Sequence, residues 1–353
     1  MSKGFATIVT PNYLTYALAL RRSLSASGNL DDLVVLVASD RLPDGIPLTK
    51  GISYLALSDL SPAIPWLCKY YYMPFELCSS LKPYVLHHCL ANLFDRCIYL
   101  DSDIYVTHSF SNVWSASSGY SFAFTPHHLS PPPDLPYTSD LLISHFGILN
   151  SGFYVCSRSV ECFYYLKWLQ DQLVNYGFCN SVKGMFGDQK MISQLIQYIP
   201  ESVLILRDPC LNVAFWNAHE RHVYNPNGLY MIDENPVVFF HLSGFDYRDQ
   251  RRICNYLPFH VNSAIGRFAP WLVDVTCEYK KLVADLEDYS TIFPCQYGYF
   301  NSIRLTREIR WLLYRKKYLH DFDLDLLCLM FISFLKSIKR FVRNHLLDGA
   351  LDR

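Results

Sequence analysis

The chain has 353 residues, with 31 Lys+Arg against 32 Asp+Glu and a formal net charge of −1. So even a balance carries no overall field for nucleic acid, and no nucleic-acid partner is expected. Residues are 51% hydrophobic and 18% charged, enough for a sizeable core in one large or two modest domains and against wholesale disorder.

Met1-Ser2-Lys3-Gly4-Phe5 leads straight into an apolar β run, Phe5 to Thr10, so no signal peptide is expected and the protein is placed in the cytoplasm. Pro11-Asn12 breaks that run. Apolar residues then recur at helical spacing from Leu14 to near Gly28, and a continuous apolar strand follows from Leu33 to Ala38. Strand, helix, strand is the crossover unit of a parallel sheet. A weaker strand is expected over Ile52 to Leu57 and a helix over Glu76 to Leu93. Cys97 to Val106 then reads as an apolar strand interrupted by Asp101-Ser102-Asp103. Alternating strands and helices predict an α/β sheet buried on both faces, with ligands at the carboxyl ends of its strands.

Ser121 to Thr125 continues the sheet. Residues 126–146 are rich in Pro, Ser and Asp, a long loop of the kind that serves as a lid or binding loop. Asn150-Ser151-Gly152 interrupts the next apolar strand, as expected where backbone approaches a ligand. Helices are expected over Val160 to Tyr176 and Lys190 to Tyr198, with strands at Val203 to Leu206 and Val237 to Phe240, the latter ending on His241. Beyond about residue 265 the composition shifts. Arg304 to Tyr318 is basic, and the apolar run Leu326 to Leu335 is followed by Lys336, Lys339, Arg340 and Arg343. That run is too short to span a bilayer. Two readings stay open: peripheral contact with an anionic membrane surface, or packing on the domain or on a second copy, with the oligomeric state unreadable. The twelve cysteines form no Cys-x-x-Cys pair, so reduced, mostly buried thiols are expected.

Two carboxylates at one strand end repel each other unless a cation sits between them. Asp101 and Asp103 are therefore candidates to hold a divalent metal, and the metal a diphosphate. Asp-x-Asp alone is a weak signal, but here it follows an apolar strand and about a hundred residues of alternating strand and helix. With five further segments in the same order, it resembles the GT-A type of nucleotide-sugar glycosyltransferase, closest to family 8, the glycogenin and lipopolysaccharide galactosyltransferase group. The segments are Ala6 to Tyr13, Leu81-Lys82-Pro83-Tyr84, Leu149 to Phe153, Gly187-Asp188-Gln189 and His241-Leu242-Ser243-Gly244.

The resemblance implies a GT-A, Rossmann-like, mixed and mostly parallel sheet flanked by helices, with a C-terminal helical extension. A catalytic domain would span 1–265, its nucleotide-binding half 1–120 and its acceptor half 121–265, followed by a helical region over 266–353. It implies Mn²⁺ or Mg²⁺ on Asp101, Asp103 and His241. The added imidazole favours Mn²⁺, although a histidine at a strand end also suits a core. Thr10, Asn12, Tyr13, Lys82, Asp101, Ser102, Asn150, Ser151 and Gly244 would bind the nucleotide sugar, with a solvated charge the plainer reading of Lys82. Asp188 and Gln189 would be catalytic. Asp188 would be a general base if the anomeric centre inverts, or Asp188 or Gln189 would steady an oxocarbenium-like state if it is retained; Asp188 also suits a helix N-cap. Trp216 and Asn217 are candidates for the acceptor, with core packing the alternative for Trp216. Where the family commonly carries Lys-Pro-Trp after His-x-x-Gly, this chain has Phe245-Asp246-Tyr247-Arg248, leaving Arg248 as the available substitute.

The activity implied is transfer of a hexose from a UDP-sugar to a glycan or glycolipid, with retention, as in polysaccharide biosynthesis. The alternatives are a non-catalytic nucleotide-sugar or glycan-binding protein on the same fold, and a sugar-1-phosphate nucleotidylyltransferase. The second usually opens with a Gly-rich phosphate loop, which Thr10-Pro11-Asn12-Tyr13 lacks.

Overall fold

The computed structural model describes residues 1–315, apart from 66, 136, 181, 182, 250, 296, 298, 301 and 302, together with 335 and 338. Strand β1 (Lys3–Val9) leads through the helix α1 (Leu14–Ala26) to β2 (Leu33–Val37) and β3 (Ile52–Leu55). A helix over Pro74–Asn92 delivers the chain to β4 (Arg96–Leu100), and β5 (Ile104–Val106) follows a turn. Then come β6 (Phe122–Pro126) and β7 (Leu149–Ser157). The seven-stranded sheet runs from a strand at Val203–Ile205 through β6, β7, β4, β1 and β2 to β3. It is parallel throughout except for β7, which is antiparallel to both β4 and β6. This is the mixed, mostly parallel α/β sheet expected from the sequence.

Apolar runs make these strands because both faces are covered. Along β1, Phe5 and Val9 enter one core, together with α1, while Ala6 and Ile8 enter the other, under the Pro74–Asn92 helix. That helix begins with Pro at its first position, and the Glu76 carboxylate accepts from the Met73 amide at 2.7 Å.

Four features depart from the sequence reading. The loop over 126–146 is helical in its second half, Asp140–Phe146, where the Ser139 hydroxyl accepts from the Leu142 amide. The expected helix over Lys190 to Tyr198 is two short ones, Gln189–Ile192 and Leu195–Tyr198. The strand ending on His241, Phe239–His241, stays out of the main sheet and pairs antiparallel with β5, His241 opposite Ile104. Gly152 serves a neighbouring side chain: a Cβ there would lie 2.3 Å from the His241 ring, so the strand carries glycine to admit that imidazole.

Helices at Phe259–Phe268 and Pro270–Val283 follow, the second burying Val275, Tyr279 and Val283 in the α1 core. The Arg22 guanidinium donates to the Leu282 carbonyl at 2.7 Å. A last helix, Arg307–Arg315, adds Ile309 and Leu313 to the other core. The basic-apolar stretch from Leu326 through Lys336, Lys339, Arg340 and Arg343 lies outside the described residues apart from Leu335 and Ile338. Among the described residues no helix is long and apolar enough to cross a membrane, and the cysteines are free thiols.

Candidate active site

Asp101 follows the last residue of β4, at the carboxyl end of the sheet, and its amide donates to Gly152 O at 2.8 Å on β7. Asp103 immediately precedes β5, whose antiparallel partner carries His241, so the chain brings an aspartate and an imidazole side by side. His241 Nε2 lies 3.4 Å from Asp103 Oδ1. Ligand atoms of Asp101, Asp103 and His241 lie within 4.8 Å of one another, the one such group of three among the described residues. Both aspartates are partly exposed, at 28% and 27% of the side chain, while His241 is buried.

The donor set suits a hard divalent cation. His241 Nδ1 donates to Asn212 Oδ1 at 3.1 Å, which leaves the Nε2 lone pair on the side of the carboxylates. Asp101 Oδ1 accepts from the Tyr99 hydroxyl at 2.8 Å and meets Lys82 Nζ at 3.1 Å, leaving its other oxygen for an ion. With no cation bound, a protonated His241 would outweigh the burial that pushes the Asp103 carboxyl up and hold it below its ordinary value. Two carboxylate oxygens and one imidazole nitrogen fit Mn²⁺ or Mg²⁺.

Lys82 is the reverse of a solvated charge. It is buried, donates to the Ser151 carbonyl at 2.7 Å, and pairs with Asp101 at 3.1 Å and Asp188 at 3.7 Å. Burial pulls its pKa down, but Asp101 and Asp188 outweigh burial, and the ammonium ends above its ordinary value. Asp188 precedes the Gln189–Ile192 helix, yet its side chain makes no cap. It accepts instead from the Ser151 hydroxyl at 3.1 Å and from the Tyr154 hydroxyl. Burial drives the Asp188 carboxyl above its ordinary value against the pull of Lys82 and both hydroxyls.

Gln189 spends both ends of its amide on backbone: Oε1 accepts from the Ser151 amide at 3.1 Å, and Nε2 donates to Phe146 O at 3.0 Å. Asn150 Oδ1 accepts from the Gly152 amide at 3.0 Å, and Nδ2 donates to His127 Nε2 at 3.2 Å. Burial lowers the His127 pKa to about 3, so this imidazole is neutral.

Asp101, Lys82, Asn150, Ser151, Asp188, Gln189, Trp216 and His241 line one cavity of about 1050 Å³. Thr10, Asn12 and Tyr13 stand at the carboxyl end of β1, Thr10 buried and Tyr13 exposed and stacked on Tyr16 at 5.1 Å. Burial raises the Tyr13 hydroxyl above its ordinary pKa, against the pull of the nearby Arg248 charge. Ser102 sits half-buried in the turn between the two aspartates. Gly244 takes φ +74°, and a Cβ on it would meet Tyr256 at 2.6 Å. Arg248 is held by both oxygens of Asp246, at 2.8 and 2.9 Å. Trp216 sets its ring edge-on to His241, and its buried indole Nε1 has no acceptor among the described residues. Asn217 is not available to an acceptor. It is fully buried, and its amide is spent on Ala214 N, His127 O and Asn212 O.

Sequence reasoning left three contributors without a role: Asn212, Tyr99 and Tyr154. The tyrosines face each other across β4 and β7, and Lys82 Nζ lies over both rings, at 5.1 and 5.9 Å. Their signal was a phenol hydroxyl on a strand buried from both sides. Asn212 stands at φ +54°, a conformation that sequence shows only through residue type. Asn212→Ala is expected to weaken Mn²⁺ binding about 10- to 100-fold in a calorimetric titration, by releasing the His241 ring.

No protein-family model matches the chain. The uncharacterized protein YfnD of Bacillus subtilis (strain 168) is 25% identical over 180 residues, 48% of this chain and 54% of that protein, so the match spans about half of the relative's length. The galactosyltransferase LgtC, solved in complex with donor and acceptor sugar analogues, aligns over 77% of this chain and 95% of its own at 13% identity and a TM-score of 0.46. The glycosyltransferase GlyE of Streptococcus pneumoniae TIGR4 aligns over 83% and 62%, at 14% identity and a TM-score of 0.43. Mouse xyloside xylosyltransferase 1 aligns over 68% and 97%, at 14% identity and a TM-score of 0.40.

Proposed function

We propose that the chain is a metal-dependent glycosyltransferase that moves a hexose from a UDP-sugar to a glycan or glycolipid acceptor, with retention, in the cytoplasm. One observation carries this reading: Asp101 and His241 of the Asp101–Asp103–His241 group line the same cavity as Asp188, Lys82 and Asn150. A charge-clamping site and a polar sugar-sized pocket thus share one space. A Mn²⁺ or Mg²⁺ ion held by the three ligands would supply charge neutralisation for a departing diphosphate.

The chain's own residues would divide the remaining work. Thr10, Asn12 and Tyr13 form the turn at the end of β1 that receives the nucleoside, with Ser102 and Gly244 shaping the diphosphate side. Lys82 fixes Asp101 and Asp188 relative to each other. All of the strong donors around Asp188 point at its oxygens, so it acts as a fixed negative charge beside an oxocarbenium-like centre, a role that needs no free lone pair for a proton. Gln189 positions the Asn150–Ser151 backbone. Trp216 lines the cavity and would present its ring to the acceptor.

A screen of UDP- and GDP-sugars tests the reading. Mn²⁺-dependent hydrolysis of at least one UDP-hexose, stopped by EDTA, is the expected result. UDP binding without turnover of any sugar nucleotide would instead assign a binding protein.

A further inference from the structure

The cavity is polar at one end only. Beyond Asp188 its walls become aromatic: Phe146 packs on Phe186 at 4.9 Å, Phe186 meets Phe75 at 6.4 Å, and Phe178 stacks on Trp311 at 4.8 Å and 15°. Two charged side chains lie in this lobe, and they face each other, with Arg310 Nη1 3.4 Å from a Glu76 oxygen. Glu76 accepts from the Cys179 amide at 2.9 Å through one oxygen and from the Met73 amide at 2.7 Å through the other. Arg310 lies against that second oxygen and the Tyr71 carbonyl, each at 3.4 Å.

The Glu76 carboxylate is therefore fully spent, and one guanidinium nitrogen of Arg310 with it. A sugar ring placed in this lobe would give up water from several hydroxyls and find few partners in return. An alkyl or aryl group loses nothing polar and gains the aromatic walls. Phe75, at 53% exposed, leaves ring surface that an apolar group in the lobe could cover.

We propose that the acceptor is amphipathic: its hydroxyl-bearing end meets Asp188, and an apolar aglycone fills the lobe between Phe146, Phe186 and Phe178. The proposal rests on the glycosyltransferase reading and narrows it to one class of acceptor.

The test is calorimetry on the full-length chain saturated with Mn²⁺ and UDP, using methyl, octyl and phenyl β-glycosides of glucose, galactose and N-acetylglucosamine, the octyl forms below their micelle concentration. For at least one sugar, the octyl or phenyl form binds at least about 30-fold tighter than the methyl form, since each buried methylene adds to affinity. An octyl preference points to a lipid-linked acceptor and a phenyl preference to an aryl one; either supports the proposal. The Phe146→Ala/Phe186→Ala double variant reduces the ratio to below about 5-fold, while the Leu pair at the same positions keeps most of it. Unchanged Mn²⁺–UDP affinity in both pairs shows that they fold. Equal affinities for methyl and apolar forms, or a ratio that survives the double Ala variant, overturn the proposal and leave the donor site standing. Failure of UDP to bind overturns the glycosyltransferase reading as well.

Discussion

Asp103→Ala is expected to lower both sugar transfer and UDP-sugar hydrolysis by about 10³-fold or more, with the fold intact. The carboxylate stands beside His241, and its ligand atom falls within the 4.8 Å group with Asp101. Removing it takes away one of two anionic ligands, and with it several kcal/mol of charge stabilisation that no neighbour replaces. Lys82 cannot stand in for a lost cation, because it is already paired with Asp101 and Asp188. The side chain is partly exposed and bears no backbone element of the sheet, so circular dichroism and the melting temperature should change little. Full turnover by this variant in the presence of EDTA would refute the assignment.

Asp188→Asn has the second-largest expected effect. Transfer should fall about 10²–10³-fold, because a fixed charge beside the reacting centre becomes a neutral amide of the same shape. Stability should move the other way. The Asp188 carboxyl has its pKa raised by burial, so its contribution is fully present below the unfolded value and is lost as pH rises through the folded one. At neutral pH the buried charge is therefore a cost, and the asparagine variant should melt no lower than the parent, with Lys82 still paired to Asp101 at 3.1 Å. Thermal melts from about pH 3.5, below the ordinary aspartate value, up to pH 7 check both statements. The parent should lose stability relative to the variant as pH rises. A variant that melts well below the parent at every pH would show that Asp188 is there to hold the fold.

The main sheet was legible because its strands are continuous apolar runs such as Leu33–Val37, which have one plausible place in a two-sided core. The candidate metal group was legible for a different reason. Asp101 and Asp103 stand two positions apart, and His241 ends its own apolar run. What the residues could not show was how the third ligand arrives. Its strand pairs with β5 outside the main sheet, a contact between segments far apart in the chain. From sequence, Lys82 is open between a nucleotide-sugar contact and a solvated charge, because a proline follows it in a helix. Only the packing of that helix against β4 and β7 buries it between two aspartates. Gly152 carried a true signal with a different cause, the His241 ring filling the space a Cβ would need. Asn217 had the right composition for a sugar contact, and backbone consumed its amide.

The most direct measurement is a calorimetric titration of UDP into the full-length chain, in Mn²⁺ and in EDTA. A cation bridging Asp101, Asp103 and His241 to a diphosphate predicts UDP affinity at least about 30-fold tighter with Mn²⁺, roughly 2 kcal/mol, and loss of that gain in Asp103→Ala and His241→Ala. Equal UDP affinity in Mn²⁺ and EDTA would contradict the account.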